Sequence, residues 1–297
     1  DDMVAWLAAH STISAVAEFT RVAWRTVSAI VERVVDEHFA GVDRLEGLVN
    51  IGIDEIAYRK GHRYLTVVIN HDTGLVVWAA EGRDSATVRR FFDALGPERT
   101  ACIEKVSADG AEWIWSVITE QAPEAVQCLD MFHMIQWAGS MVDKVRRRTL
   151  AAHGGGLAGA MWAVRKSHAE QTADQRGVVE QLRRDNSDLF EAYMLKEQLR
   201  DAVRRPGRRG LIALSGVQVW ARDSPIPEIA ALGKTLGRYN RRIRNALKHN
   251  LSNARSEATN THLRALTKRA YGFHTPAALI AMAELTRGGA CPELPWL

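Results

Sequence analysis

The chain has 297 residues, 46% hydrophobic and 25% charged, which suits a globular protein of one large or two ordinary domains. Its three cysteines, Cys102, Cys128 and Cys291, show neither zinc-site spacing nor a disulfide framework and fit a reducing compartment. No apolar run approaches a membrane span and no signal-like stretch opens the chain, so the expectation is a cytoplasmic protein without a membrane partner.

The formal net charge of +4 hides an uneven distribution. Residues 1–50 hold eight acidic and four basic side chains, whereas residues 238–272 hold nine basic ones against a single acid, Glu257. A phosphate backbone is attracted to the second region.

In chain order, residues 3–9, 13–19 and 25–35 read as short helices, the last with Val27, Ile30, Val31 and Val34 on one face. The break at residues 20–24 suits a helix-turn-helix. Its second helix carries Arg25 and Arg33 but also Glu32, Asp36 and Glu37, so both DNA contact and a structural or dimerising cap stay open.

The period then changes. Residues 49–54, 63–70 and 75–80 read as strands, the last two joined by the turn residues His71, Asp72, Thr73 and Gly74. Residues 84–95 read as a helix and 101–108 as a strand ending at Asp109 and Gly110. A helix at 112–121 and a short strand at 125–129 follow. From 131 to about 234 only helical periodicity remains, broken at 153–156, 205–207 and 224–227; helices at 239–247 and 252–271 follow. The expected organisation is a helical segment at 1–46, the first part of an α/β domain at 47–134, an all-α insertion at 135–236 and C-terminal helices of the α/β domain at 237–297.

Asp54 stands at or near the end of the first predicted strand and Asp109 ends the fourth, so their carboxylates converge if those strands are neighbours. Glu257 shares a helical face with Asn260 and Arg264. Taken singly, each acid has a plainer reading: an Asp before Gly forms turns, and a Glu on a basic helix forms surface ion pairs. Together, three such carboxylates suit two Mg²⁺ (or Mn²⁺) ions about 4 Å apart, the arrangement that drives in-line displacement at phosphorus.

Five segments, in order, carry a family resemblance: Ile53-Asp54-Glu55, Val106-Ser107-Ala108-Asp109, Leu129-Asp130-Met131-Phe132-His133, residues 253–260 around Glu257, and residues 268–273. The chain resembles the insertion-sequence L-three (IS-L-three) family of bacterial DDE transposases. The resemblance implies a ribonuclease-H-like α/β fold, a mixed five-stranded sheet with flanking helices interrupted by an all-α insertion. It implies the metal-binding triad Asp54, Asp109 and Glu257, with Asp130 and His133 in support, and Mg²⁺-dependent DNA cleavage and strand transfer on double-stranded element ends and target. Arg255, Asn260, Arg264, Lys268 and Arg269 are then expected to hold phosphates, and a homodimer in a synaptic complex follows by analogy. Trp162 and Trp220, in the insertion, read as base-stacking aromatics or as core, with core packing favoured. The alternative function is a truncated or domesticated DNA-binding remnant without catalysis. Family members carry a cysteine-rich, zinc-binding module ahead of the helix-turn-helix. None appears here and the first residue is Asp1, so a longer N-terminal part is expected outside this sequence.

Overall fold

The computed structural model describes all residues except 60, 154–158, 206, 250, 252–253, 270–272, 274 and 295–297, and omits the side chains of 150–153, 254–257, 260 and 269. The chain divides into two compact units, Asp1–Gln127 with Ser252–Leu297, and Cys128–Leu251.

The first unit begins with α1 (Asp2–His10), α2 (Ile13–Thr20) and α3 (Trp24–Phe39). The Thr12 hydroxyl accepts from the Ala15 N–H and caps α2, and Arg21 ends it in the left-handed region at φ 57°. The helix α3 is rich in β-branched residues, yet Val27, Val31, Val34 and Val35 recur at helical spacing and are buried, so amphipathic packing outweighs their strand preference.

The sheet follows: β1 (Asn50–Arg59), β2 (Arg63–Asn70), β3 (Val76–Glu81), α4 (Ser85–Leu95), α5 (Pro97–Thr100), β4 (Lys105–Ala108), α6 (Glu112–Gln121) and β5 (Val126–Leu129). Its strand order is β3-β2-β1-β4-β5, antiparallel between β1 and β2 and between β2 and β3, and parallel between β1 and β4. This is the mixed five-stranded sheet expected from the sequence.

Two strand limits differ from expectation. The first strand runs to Arg59, because antiparallel pairing with β2 continues from Ile51–Asn70 to Arg59–Arg63 long after the parallel pairing with β4 has stopped. The fourth begins at Lys105, because Pro97 opens the one-turn helix α5 in the segment before it.

On one sheet face lie Ile51, Ile53 and, through the register, Val68 and Trp78, whose ring meets Phe91 of α4 edge-on at 5.7 Å. The other face contributes Ile56, Leu65, Val67, Ile69 and Val76 to a core shared with α1, α2, α3 and the C-terminal helices α14 (Ala254–Arg269) and α15 (Pro276–Arg287).

The second unit is helical: α7 (Met131–His153), α8 (Ala160–Arg165), a 3₁₀ turn at His168–Glu170, α9 (Ala173–Asp185), α10 (Ser187–Arg204), α11 (Gly207–Asp223), α12 (Pro227–Arg238) and α13 (Asn240–His249). Its centre holds a buried cation. Lys196 on α10 donates to the carbonyls of Val164, Arg165 and Lys166 at 2.6, 3.4 and 2.9 Å, closing the C-terminus of α8. Burial holds this ammonium below the usual lysine range, with Glu197 beside it opposing the shift.

Candidate functional site

The pairing of β1 with β4 brings two predicted acids together. Its last parallel register pair is Ile53–Ala108, and the next residues in sequence are Asp54, still within β1, and Asp109, just past the end of β4. Neighbouring strands lie about 4.8 Å apart, so the backbones at Asp54 and Asp109 leave this pairing side by side. The Asp109 carboxylate accepts from the Ala111 N–H at 2.8 Å, and that of Asp54 from the Glu55 N–H at 2.7 Å, which fixes both chains locally. Asp54 is not the strand's last residue, as the sequence suggested, but the first beyond its parallel partner.

The helix α14 packs against β1 and brings Arg264, whose guanidinium stands 3.3 Å from Asp54 Oδ2. The buried Thr259 hydroxyl donates to the Gly74 carbonyl at 3.0 Å and pins the helix to the β2–β3 turn. Lys268 is exposed one turn beyond Arg264. Glu257, Arg255, Asn260 and Arg269 fall within α14, but their side chains lie outside the described residues.

Asp130 and His133 belong to the second unit. Asp130 precedes α7, accepts from the Phe132 N–H at 2.9 Å as a cap would, and approaches His133 Nδ1 at 3.2 Å. The three-residue spacing therefore produces a contact on one helical turn.

One acid escaped the sequence reading. Glu55 follows Ile51 and Ile53 on the face toward α4, where alternation calls for an apolar residue; that break in pattern was its signal. Its side chain is only 7% exposed, paired through Oε2 with Arg83, while Oε1 has no hydrogen-bond partner. Arg83 in turn stacks over Tyr64 at 4.7 Å. Burial is the main cause lifting the Glu55 carboxyl to about 7; the Asp109 carboxylate adds to it, Arg83 opposes it, and Asp54 adds a smaller push.

Among the described residues no three His, Cys, Asp or Glu side chains converge as a metal-binding group. The chemistry of the donors still suits a hard cation: two aspartates at neighbouring backbone positions supply carboxylate oxygens, and an arginine is already drawn onto one of them.

The helix-turn-helix exposes Phe19, Trp24 and Arg25 at its turn, and Arg25 lies over the Trp24 ring. In the second unit Trp162 is 59% exposed, so the favoured core reading fails for it: α8 buries Ala160, Ala163 and Val164 instead. Trp220 is half-buried and donates to Glu191 at 3.1 Å. Among the described residues no helix is long and apolar enough to cross a membrane.

A mixed five-stranded sheet flanked by helices is the architecture of a ribonuclease-H-like transposase domain. A family described as transposase, of the ISL3 group, matches residues 51–283, and the helix-turn-helix domain of transposase family ISL3 matches residues 1–35. The chain belongs to the ISL3 family of transposases, and its family and helix-turn-helix domain make DNA its binding partner. It is 43% identical to the transposase for insertion sequence element IS1557 of Mycobacterium tuberculosis, across 99% of this chain and 72% of that protein. It is 26% identical to the transposase for insertion sequence element IS1001 of Bordetella parapertussis, across 89% of this chain and 66% of that one.

Proposed function

We propose that the chain catalyses divalent-metal-dependent DNA strand cleavage and strand transfer in the movement of a bacterial insertion sequence, acting in the cytoplasm on double-stranded element ends and target, as a homodimer when two ends are synapsed. The observation that carries this reading is the side-by-side exit of Asp54 and Asp109 from the parallel pair β1–β4.

Asp54, Asp109 and Glu257 would hold Mg²⁺ or Mn²⁺, which when bound polarises the phosphodiester and lowers the pKa of the attacking water. Asp54 and Asp109 are fixed by backbone N–H groups, so little reorganisation is needed before substrate arrives. Arg264 screens the charge of Asp54 and is near enough to pass to a phosphate oxygen when DNA is bound. Lys268, Arg255, Asn260 and Arg269 extend phosphate contact along the same helix. Asp130 orients His133 by the hydrogen bond between them, and His133 serves as proton donor to a leaving oxygen. Residues 1–46 form the helix-turn-helix segment, and the exposed start of α3, where Trp24 and Arg25 stand, is the part suited to base edges.

The test is nicking and joining of element-end DNA with Mg²⁺ or Mn²⁺. Losing a metal ligand removes several kcal/mol of transition-state stabilisation, so Asp54→Asn and Asp109→Asn should each lower the rate by about a thousandfold. Wild-type activity in Asp109→Asn would overturn the assignment.

A further inference from the structure

The second unit carries an excess of cations, and several of them are spent on acidic neighbours. Arg146, Arg147 and Arg165 surround Asp143, Arg148 bridges Asp188 and Glu228, Arg205 meets Asp201, and Arg222 meets Asp223. One stretch differs. No Asp or Glu occurs between Glu228 and Glu257, and Lys234, Arg238, Arg241 and Lys248 are all exposed with no ion pair to any described residue.

These four lie on α12 and α13 opposite the buried stripe Ile229, Leu232, Leu236, Ile243, Ala246 and Leu247. The two helices follow one another almost without interruption. Buried Tyr239 forms the joint, donating its N–H to the Thr235 carbonyl at 3.2 Å and accepting from the Ile243 N–H at 2.9 Å, with its ring against Trp137 at 5.2 Å. Arg244 supports the face from its edge by donating to Ser215 at 3.2 Å. The cations are therefore displayed on a rigid, packed support.

We propose that the exposed face of α12 and α13, through Lys234, Arg238, Arg241 and Lys248, is a docking surface for the phosphate backbone of duplex DNA that reads no sequence. The charge is complementary and uncompensated, which is what releases condensed counterions when DNA arrives. From Arg241 to Lys248 the helix advances roughly 10 Å, about the span of three phosphates along one strand. The face also ends only a few residues before α14, the helix that contains Glu257. The inference rests on the DNA-processing function proposed above for its ligand, but assigns it a surface that the triad and the residues around Glu257 do not include.

The experiment uses the full chain and a labelled duplex of about 30 base pairs, with binding followed by anisotropy between about 50 and 200 mM salt. The quadruple variant Lys234→Gln, Arg238→Gln, Arg241→Gln, Lys248→Gln should reduce the slope of log K against log salt by about 3 to 4, near 0.9 for each lost phosphate contact. The loss should be equal for element-end and scrambled duplexes. Two controls guard against a folding or bulk-charge effect. Exchanging Lys and Arg at the same four positions should restore the wild-type slope. Neutralising the paired cations Arg147, Arg165, Arg205 and Arg222 to Gln should change it by less than about 1. A wild-type slope in the quadruple variant, with wild-type protein binding normally, overturns this face alone; failure of the wild-type protein to bind any duplex overturns the functional reading and this inference together.

Discussion

The two units differ in charge as sharply as in architecture. Residues 128–251 hold 22 Lys and Arg against 12 Asp and Glu, while the remainder of the chain holds 17 against 23. The sheet unit concentrates carboxylates, the groups that bind hard cations and that by themselves repel a polyanion. In the helical unit, beyond the last two residues of β5, the regular elements among the described residues are all helices, and its surplus is cationic. The contrast suggests a division of labour in which reaction and substrate attraction are supplied by different parts of one chain.

The largest effect should fall on the sheet unit and spare the other. In Asp54→Asn, cleavage is expected to drop by about a thousandfold while affinity for duplex in EDTA stays within about twofold of wild type, because the lost interaction acts in the transition state and not in binding. A parallel loss of duplex affinity would erase the division between the units.

Next comes the buried cation of the helical unit. Replacing Lys196 by Met strips the donor from three carbonyls, one of them, Val164 O, in a fully buried bond. With each orphaned group costing about 1 to 3 kcal/mol, a loss of about 3 kcal/mol or more is expected in urea unfolding. If the units are energetically separate, Mn²⁺ affinity at Asp54 and Asp109 should be unchanged in the fraction that remains folded. A matching decline in metal affinity would show that they are coupled.

Gly52→Ala tests the sheet unit at smaller scale. A methyl there would stand 2.9 Å from His71 Nε2 and 3.2 Å from Ser107 Oγ, two side chains already joined at 2.6 Å. Overpacking of this kind costs about 1 to 3 kcal/mol. Because Gly52 and Ser107 are a register pair two residues before Asp54 and Asp109, the strain should also weaken Mn²⁺ binding measured by calorimetry. Unchanged stability and metal binding would mean that the β1–β4 pair yields more easily than its packing suggests.

What the sequence made legible follows physical lines. The limits 63–70 and 112–121 coincide with β2 and α6, because alternation, turn residues and helical period are local properties. The extra length of β1 was not visible, since Glu55 and Arg59 look unlike strand interior and only pairing with β2 keeps them extended. Asp54 and Asp109 could be suspected individually, but their adjacency is decided by a parallel pairing between segments about fifty residues apart. Glu55 was overlooked because its significance lies in burial beside Arg83 and Asp109, both distant in sequence.

Trp162 makes the same point and gives the smallest predicted effect. In Ala-Met-Trp-Ala-Val-Arg it sits among apolar residues and seemed destined for a core, yet a helix of six residues can turn only one face inward, and Ala160, Ala163 and Val164 take that face. With 59% of its surface in water, Trp162→Ala should change stability by less than about 0.5 kcal/mol in thermal unfolding. The same substitution at Trp115 of α6, which is 1% exposed, should cost about 3 to 5 kcal/mol. Equal losses at the two tryptophans would show that Trp162 is covered in solution, either within the chain or by a second copy, and size-exclusion chromatography of the wild-type protein separates those outcomes.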